Sequence, residues 1–337
     1  MKRKKSIAIA ISFLVSLGLL VFLFQGIDWQ KLATELKRVQ LSYLPLLLLL
    51  FFSYYLLKAL RWRLLLPNDF KPKFWQLYHA TLIGGLATNV LPLRAGEFIR
   101  PWALSSRSEI PFTTAFASVV TERVFDLVAV LFFFGLCLLN LNNVPPLVTV
   151  GAQALAGVAC VLALVMLLSY FASDAMLRFA RRAALALTGK KRAQLVVTIE
   201  QRFEEFIEGL RAISSAREFF SIIALSVLLW LIIAMHYQVV LWSMGEYPSL
   251  WVGMTINVMV ALAVAAPSAP GFIGAFQFGC VVALSVTYAY SEEFALGFSV
   301  ISHSFQFILA ILVGMHSLRA LGFGFRQIVQ QAESNPA

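Results

Sequence analysis

Six apolar runs bound what this chain can become: Ser6 to Phe24, Leu41 to Leu57, Phe112 to Leu139, Val148 to Phe171, Phe219 to Trp242 and Phe294 to Leu318. A helix rises about 1.5 Å per residue, so about 20 apolar residues cross a ~30 Å hydrocarbon core and runs of this kind read as membrane spans. Two further runs, Phe74 to Leu91 and Leu250 to Tyr290, contain or adjoin breaks rich in proline and glycine. With 60% of residues hydrophobic and 13% charged, a water-soluble domain is excluded. The fold class is all-α: a polytopic membrane protein of about six transmembrane helices plus two re-entrant broken helices.

The net charge of +10 is unevenly spread. Lysine and arginine crowd into the N-terminus, Lys58 to Lys73, Arg94 to Arg107, Arg178 to Arg217 and Arg319 to Arg326. They are absent from the connections at Asn140 to Pro146, Gly245 to Ser249 and Ser291 to Glu293. The positive-inside rule places the basic group in the cytoplasm, with both termini there. Lys31, Lys37 and Arg38 run against that rule, partly offset by Asp28 and Glu35. The first run follows Met1-Lys2-Arg3-Lys4-Lys5 without a small-x-small cleavage site, so it reads as a retained span.

The breaks read Asn89-Val90-Leu91-Pro92-Leu93-Arg94-Ala95-Gly96-Glu97-Phe98-Ile99-Arg100 and Ala266-Pro267-Ser268-Ala269-Pro270-Gly271-Phe272-Ile273-Gly274. Irregular backbone at membrane depth is tolerated only where it is buried in protein or lines a cavity. Paired breaks in two halves point to a transporter's binding site. The charge pattern makes the first segment, near residues 74–106, re-entrant from the cytoplasm and the second, near 250–290, re-entrant from outside. Residues 1–143 and 144–326 then form an inverted repeat, followed by a short polar tail, 327–337. Between the halves, residues 173–217 form a basic linker containing Arg178, Arg181, Arg182, Lys190, Lys191 and Arg192. Its end carries Phe203, Phe206, Ile207 and Leu210 at helical spacing, the pattern of an amphipathic helix lying on the membrane.

Glu122-Arg123-Val124-Phe125-Asp126 falls inside an apolar run, about 15 Å from the start at Phe112. A charge at that depth costs roughly 2.5 to 3.5 kcal/mol on insertion scales, so such residues are functional candidates by default, the alternative being a buried structural ion cluster that pins the re-entrant segment. Arg123 and Asp126 are three apart and can pair along the helix. The first break adds Arg94, Glu97 and Arg100, with Gly96 allowing close backbone approach. Guanidinium forks match phosphate oxygens, so Arg94, Arg100 and Arg123 are expected to converge on an anionic headgroup, held by Glu97, Glu122 and Asp126. In the second break Pro267, Ser268, Pro270, Gly271 and the following Gln277 are uncharged. They are candidates for closing the cavity from the other side or for packing alone.

Other chemistries find no footing. Cys137, Cys160 and Cys280 all lie in apolar runs, implying neither a disulfide nor a zinc framework. His236, His303 and His316 lack a second ligand at metal spacing and read as hydrogen-bonded core residues. Thr188-Gly189-Lys190-Lys191 is only a fragment of a nucleotide-binding loop, and no hydrolase motif stands in a suitable context. The basic charge flanks spans rather than forming a soluble basic domain, which excludes nucleic acid. No cofactor, metal or catalytic residue is expected.

The two breaks and the Glu122-Arg123-Val124-Phe125-Asp126 segment, in this order, resemble the transmembrane family of lysylphosphatidylglycerol synthases, the flippase domain of the multiple peptide resistance factors and their stand-alone relatives. The similarity covers about Ile7 to Leu321. It implies a flippase-like protein of a bacterial or archaeal cytoplasmic membrane that moves or binds anionic or polyprenyl-linked lipid. Only Gln327 to Ala337 follow Arg326, so the aminoacyl-transferring domain, and lysyl transfer with it, are not expected. The partners expected are an anionic membrane lipid and, beyond it, a second copy or a lipid-modifying enzyme. The alternatives are an intramembrane transferase acting on lipid-linked sugar and a non-catalytic assembly partner.

Overall fold

A computed structural model describes residues 2–70, 72–140, 146–172, 177–178, 193–266 and 268–334. The described residues form thirteen α-helices and no strand. In the first half these are α1 (Lys2–Phe24), α2 (Trp29–Lys37), α3 (Leu44–Leu64), α4 (Phe74–Val90), α5 (Gly96–Ser105) and α6 (Phe112–Leu138). The second half holds α7 (Pro146–Phe171), α8 (Ala193–Leu210), α9 (Ala216–Ser243), α10 (Leu250–Ala265), α11 (Ala275–Val281), α12 (Glu292–Ala320) and α13 (Phe325–Ser334). Pro267, the connection at 141–145 and all of the basic linker cluster except Arg178 lie outside the described residues.

Helix ends follow local chemistry. The Asp28 carboxylate accepts from Gln30 N and Lys31 N at 3.0 and 3.2 Å, starting α2 after a bend of 95° from α1. Ser215 and Ser291 cap α9 and α12 by accepting from Glu218 N and Phe294 N, each at 3.2 Å. Five segments are long and apolar enough to cross a membrane: Leu41–Leu64, Val148–Val165, Ala216–Ser243, Pro270–Thr287 and Glu292–Ala320. The bent pair Phe13–Phe24 and Trp29–Lys37 makes a sixth when counted as one. The 27 residues of α6 reach about 40 Å, ample length for a crossing, but three charges interrupt its apolar face. This is a polytopic helical membrane protein.

Both sequence breaks are realised as helical hairpins. In the first, α4 and α5 pack against one another; in the second, α10 packs against α11, which continues as a π-helical turn, Val282–Thr287. Both tips use left-handed backbone: Leu93 and Arg94 at φ 58° and 54°, Gly271 and Phe272 at 68° and 60°. Gly96 makes the first hairpin possible. A Cβ there would stand 2.0 Å from Thr88 Oγ1 and 2.1 Å from the Gly84 carbonyl oxygen.

The halves interleave rather than standing as separate domains. Helices α2 and α4 of the first half pack on α12, and α8 and α10 of the second pack on α6, while α3 lies against α9. The amphipathic helix expected to lie on the membrane buries its apolar edge in protein: Ile207 and Leu210 are buried, and Gly209 brings α8 close to Ala117 and Thr114. Glu205 accepts from Thr113 Oγ1 across the same contact. The C-terminal segment differs from a polar tail as well, because α13 continues to Ser334 and buries Ile328 against the core around α5.

Candidate functional site

A cavity of about 390 Å³ opens where α3, α4, α5 and α6 meet α9, α10, α11 and α12. Its first-half wall carries Lys58 and Arg61 from α3, Arg94 from the first tip, Glu97 and Arg100 from α5, and Arg123 and Asp126 from α6. Glu122 stands behind that wall, fully buried. In a low dielectric an isolated carboxylate of this kind is untenable, and four cations surround it. Arg100 Nη1 donates to both its oxygens at 2.9 and 2.8 Å, and Arg123 Nη2 donates to Oε1 at 3.0 Å. Arg61 Nη2 and Lys58 Nζ lie 3.4 and 3.6 Å from the same oxygen.

Asp126 forms the second anchor. Arg61 Nη1 donates to Oδ1 at 2.7 Å and to Ser226 Oγ at 2.9 Å, while Arg123 Nη2 lies 3.2 Å from Oδ2. Glu97 is held more loosely, 3.9 Å from Arg123 Nη1. The Arg100 guanidinium stacks 3.9 Å over the Trp62 ring, whose Nε1 donates to Ser118 Oγ at 2.8 Å. Five cations stand with three carboxylates at this wall, an excess of two positive charges. Arg61 Nε, Arg100 Nε and Nη2, and Arg123 Nε are buried without a hydrogen-bond acceptor.

Arg94 has a different office from Arg100 and Arg123. Its Nη2 donates to the Val264 carbonyl near the end of α10, and its guanidinium lies 5.2 Å over the Phe272 ring. It therefore ties the first hairpin tip to the second. Gly271 completes that junction: a Cβ there would meet Phe307 at 2.8 Å and the Asn89 carbonyl oxygen at 3.2 Å.

Among the described residues, the second-half wall carries no carboxylate, lysine or arginine. Its polar groups are His236, Tyr237, Asn257, His303 and Gln306, set among Trp230, Phe272 and Phe276. Two of them, His236 and Gln306, are linked through Ser302. His236 Nε2 and Gln306 Nε2 both approach Ser302 Oγ, at 3.2 and 3.4 Å, and His303 stacks on Phe276 with centroids 4.5 Å apart.

Six expected site residues thus share the cavity wall: Arg94, Gly96, Glu97, Arg100, Arg123 and Asp126, with Glu122 buried behind them. Ser268, Pro270, Gly271 and Gln277 do not line it. Gln277 Oε1 instead accepts from Gly274 N at 2.8 Å, capping α11, and its amide nitrogen lies 3.1 Å from His303 Nδ1. Pro267 lies outside the described residues. The sequence reading missed Lys58 and Arg61, assigning them to a cytoplasmic flank. Leu41 to Leu57 spans only about 25 Å as a helix, so the span needs another turn, and that turn carries both cations inward. Among the described residues no cluster of His, Cys, Asp and Glu is arranged to hold a metal ion.

The sequence profile described as Lysylphosphatidylglycerol synthase TM region matches residues 9–314. The chain is 25% identical over 301 residues to Glycosyltransferase AglD of Haloferax volcanii, covering 82% of this chain and 48% of that protein. It is 30% identical over 133 residues to a UPF0104 membrane protein of Methanocaldococcus jannaschii, covering 39% of this chain and 38% of that one. The chain spans about half or less of the length of these curated relatives. No solved structure matches.

Proposed function

The chain belongs to the lysylphosphatidylglycerol synthase transmembrane-region family, and from that premise we propose that it is a lipid transporter, a flippase in kind, of a cytoplasmic membrane. The cavity binds an anionic headgroup, of the phospholipid or polyprenyl-phosphate type, and carries it between leaflets. One observation carries this reading: a partly open cavity whose wall, with Glu122 buried behind it, holds five cations against three carboxylates, an excess of two positive charges. Retaining that charge unpaired at membrane depth is costly, and a phosphate neutralises it while supplying acceptor oxygens. The paired hairpins and the reciprocal packing of α4 on α12 and α10 on α6 support an inverted repeat, and the crowding of lysine and arginine at one set of helix ends favours cytoplasmic termini. Movement of the hairpins past one another exposes the cavity to each face in turn. The reading is of a carrier, not of an enzyme.

Reconstitution in liposomes tests it. A fluorescent anionic phospholipid should become accessible to an impermeant quencher only with the protein present. Arg61→Ala and Arg123→Ala should weaken lipid-phosphate binding by at least about tenfold, since a charge-assisted contact contributes roughly 1.5 to 3 kcal/mol. Melting temperatures of the same variants separate lost binding from lost fold. Wild-type lipid affinity in folded arginine variants would make this a structural ion cluster.

A second reading rests on the relative named a glycosyltransferase: the chain acts on, or beside an enzyme acting on, lipid-linked sugar. Turnover of a lipid-phosphate sugar by the purified protein alone would establish it over transport. A non-catalytic assembly role requires neither turnover nor translocation.

A further inference from the structure

The two walls of the cavity differ in a way that selects among anionic lipids. Every lysine, arginine and carboxylate on the lining comes from residues 58–126. The polar side chains of the opposing wall, residues 229–310, are imidazole, phenol, indole and amide groups set among aromatic and aliphatic residues. Building on the anionic-lipid reading, we propose that the cavity takes a lipid phosphate whose headgroup continues into an uncharged, hydroxylated moiety, and that it disfavours a headgroup ending in an ammonium.

The argument is one of partners. A phosphate seated by Lys58 and Arg123, the part-exposed cations of the first wall, leaves the rest of the headgroup facing the second wall. Hydroxyls donate and accept at once, and the groups waiting there do the same: Asn257, Gln306, His236 and Tyr237. The amide of Asn257 already donates to the Trp230 carbonyl at 2.9 Å, which fixes its orientation. Phe276, stacked on His303, supplies a flat apolar surface beside these polar groups, the combination that orients small ligands in pockets. An ammonium finds no carboxylate on that wall, and a buried charge without one is expensive. The carboxylates across the cavity are committed. Asp126 is bonded to Arg61 and Arg123, and Glu122 to Arg100 and Arg123. Glu97 is the least engaged, but Arg123 approaches it and the surrounding field is positive. At about 390 Å³ the cavity falls within the ~300–1,000 Å³ typical of small-molecule sites, enough for a headgroup with its chains left in the bilayer.

Three lipids with the same acyl chains test the proposal on full-length protein in nanodiscs: phosphatidic acid, phosphatidylinositol and lysylphosphatidylglycerol. Phosphatidylinositol should bind at least about tenfold more tightly than lysylphosphatidylglycerol, and more tightly than phosphatidic acid. Gln306→Leu and Asn257→Leu should each pull the ratio of phosphatidylinositol to phosphatidic acid affinity toward one. Two positions are used because Asn257 also holds α10 to α9, and melting temperature reports whether that helix contact survives. Phosphatidic acid binding with no preference for phosphatidylinositol over lysylphosphatidylglycerol overturns this inference and leaves the anionic-lipid reading standing. Tightest binding of lysylphosphatidylglycerol, abolished by Glu97→Gln, overturns it too and makes Glu97 the ammonium seat. Failure of all three lipids to bind removes both readings.

Discussion

The first hairpin, residues 74–105, and the second, residues 250–287, share a shape and differ in chemistry. Both turn through left-handed backbone, both pack one arm on the final long helix of the opposite half, and both reach the cavity. The first is held by charge: Arg100 grips Glu122, and Arg94 reaches across to Val264. The second is held by caps and close contacts: Gln277 on Gly274, Ser16 Oγ accepting from Ala269 N at 2.7 Å, and Gly271 against Phe307. A repeated architecture therefore does not require a repeated polar code. One half supplies the electrostatics, and the other supplies a neutral wall to work against.

The largest effect that separates the halves comes from Arg100. Arg100→Ala strips the buried Glu122 of its nearest partner and should cost about 3–5 kcal/mol, read as a large fall in thermal stability in detergent. The double change Arg100→Met with Glu122→Gln should recover much of that loss. No recovery would mean that the pair's value lies in packing against Trp62 instead.

Arg94→Ala comes next. It removes the bond to Val264 and the stacking on Phe272, about 1.5–3 kcal/mol of contact between the tips. The checking measurement is protease sensitivity at the hairpin tips beside the melting temperature. Unchanged sensitivity would leave the two hairpins mechanically independent.

The two glycines sharpen the comparison. Gly96→Ala overpacks against the backbone of α4 and should cost about 1–3 kcal/mol, at the upper end because the Gly84 carbonyl cannot swing aside. Gly271→Ala meets the end of the Phe307 ring and a left-handed backbone, about 1–2 kcal/mol. Thermal unfolding of the two variants side by side checks the order. A larger loss at Gly271 would place the tighter constraint in the uncharged hairpin.

Arg38→Ala should have the smallest effect. Its pairs with Glu35 and Glu246, at 2.9 and 3.3 Å, are part-exposed and contribute roughly 0–1 kcal/mol, diminishing with salt. A melting shift as large as that of Arg94→Ala would show that contacts outside the hairpins also set the stability of this fold.

Much of this was written in the chain. Apolar runs of membrane length dictated helices, because a bilayer satisfies no backbone polar group. Proline and glycine marked both hairpins, and charges at unlikely depth marked Glu122, Arg123 and Asp126. Spacing also foretold the Arg123–Asp126 pair, three residues apart on one helix. The tertiary partners were not legible. Arg100 lies 22 residues from Glu122, Arg61 lies 65 from Asp126, and Ser226 lies 165 from Arg61. Local periodicity carries no information across such separations. The same holds for Gln277, which reads as a polar candidate in the second break and proves to be a helix cap bound to His303. Composition and pattern thus determined the medium, the helices and which residues could not be idle. Only the tertiary structure decided which charges cancel and which remain to face a ligand, because that balance is set by side chains from distant helices meeting where water is excluded.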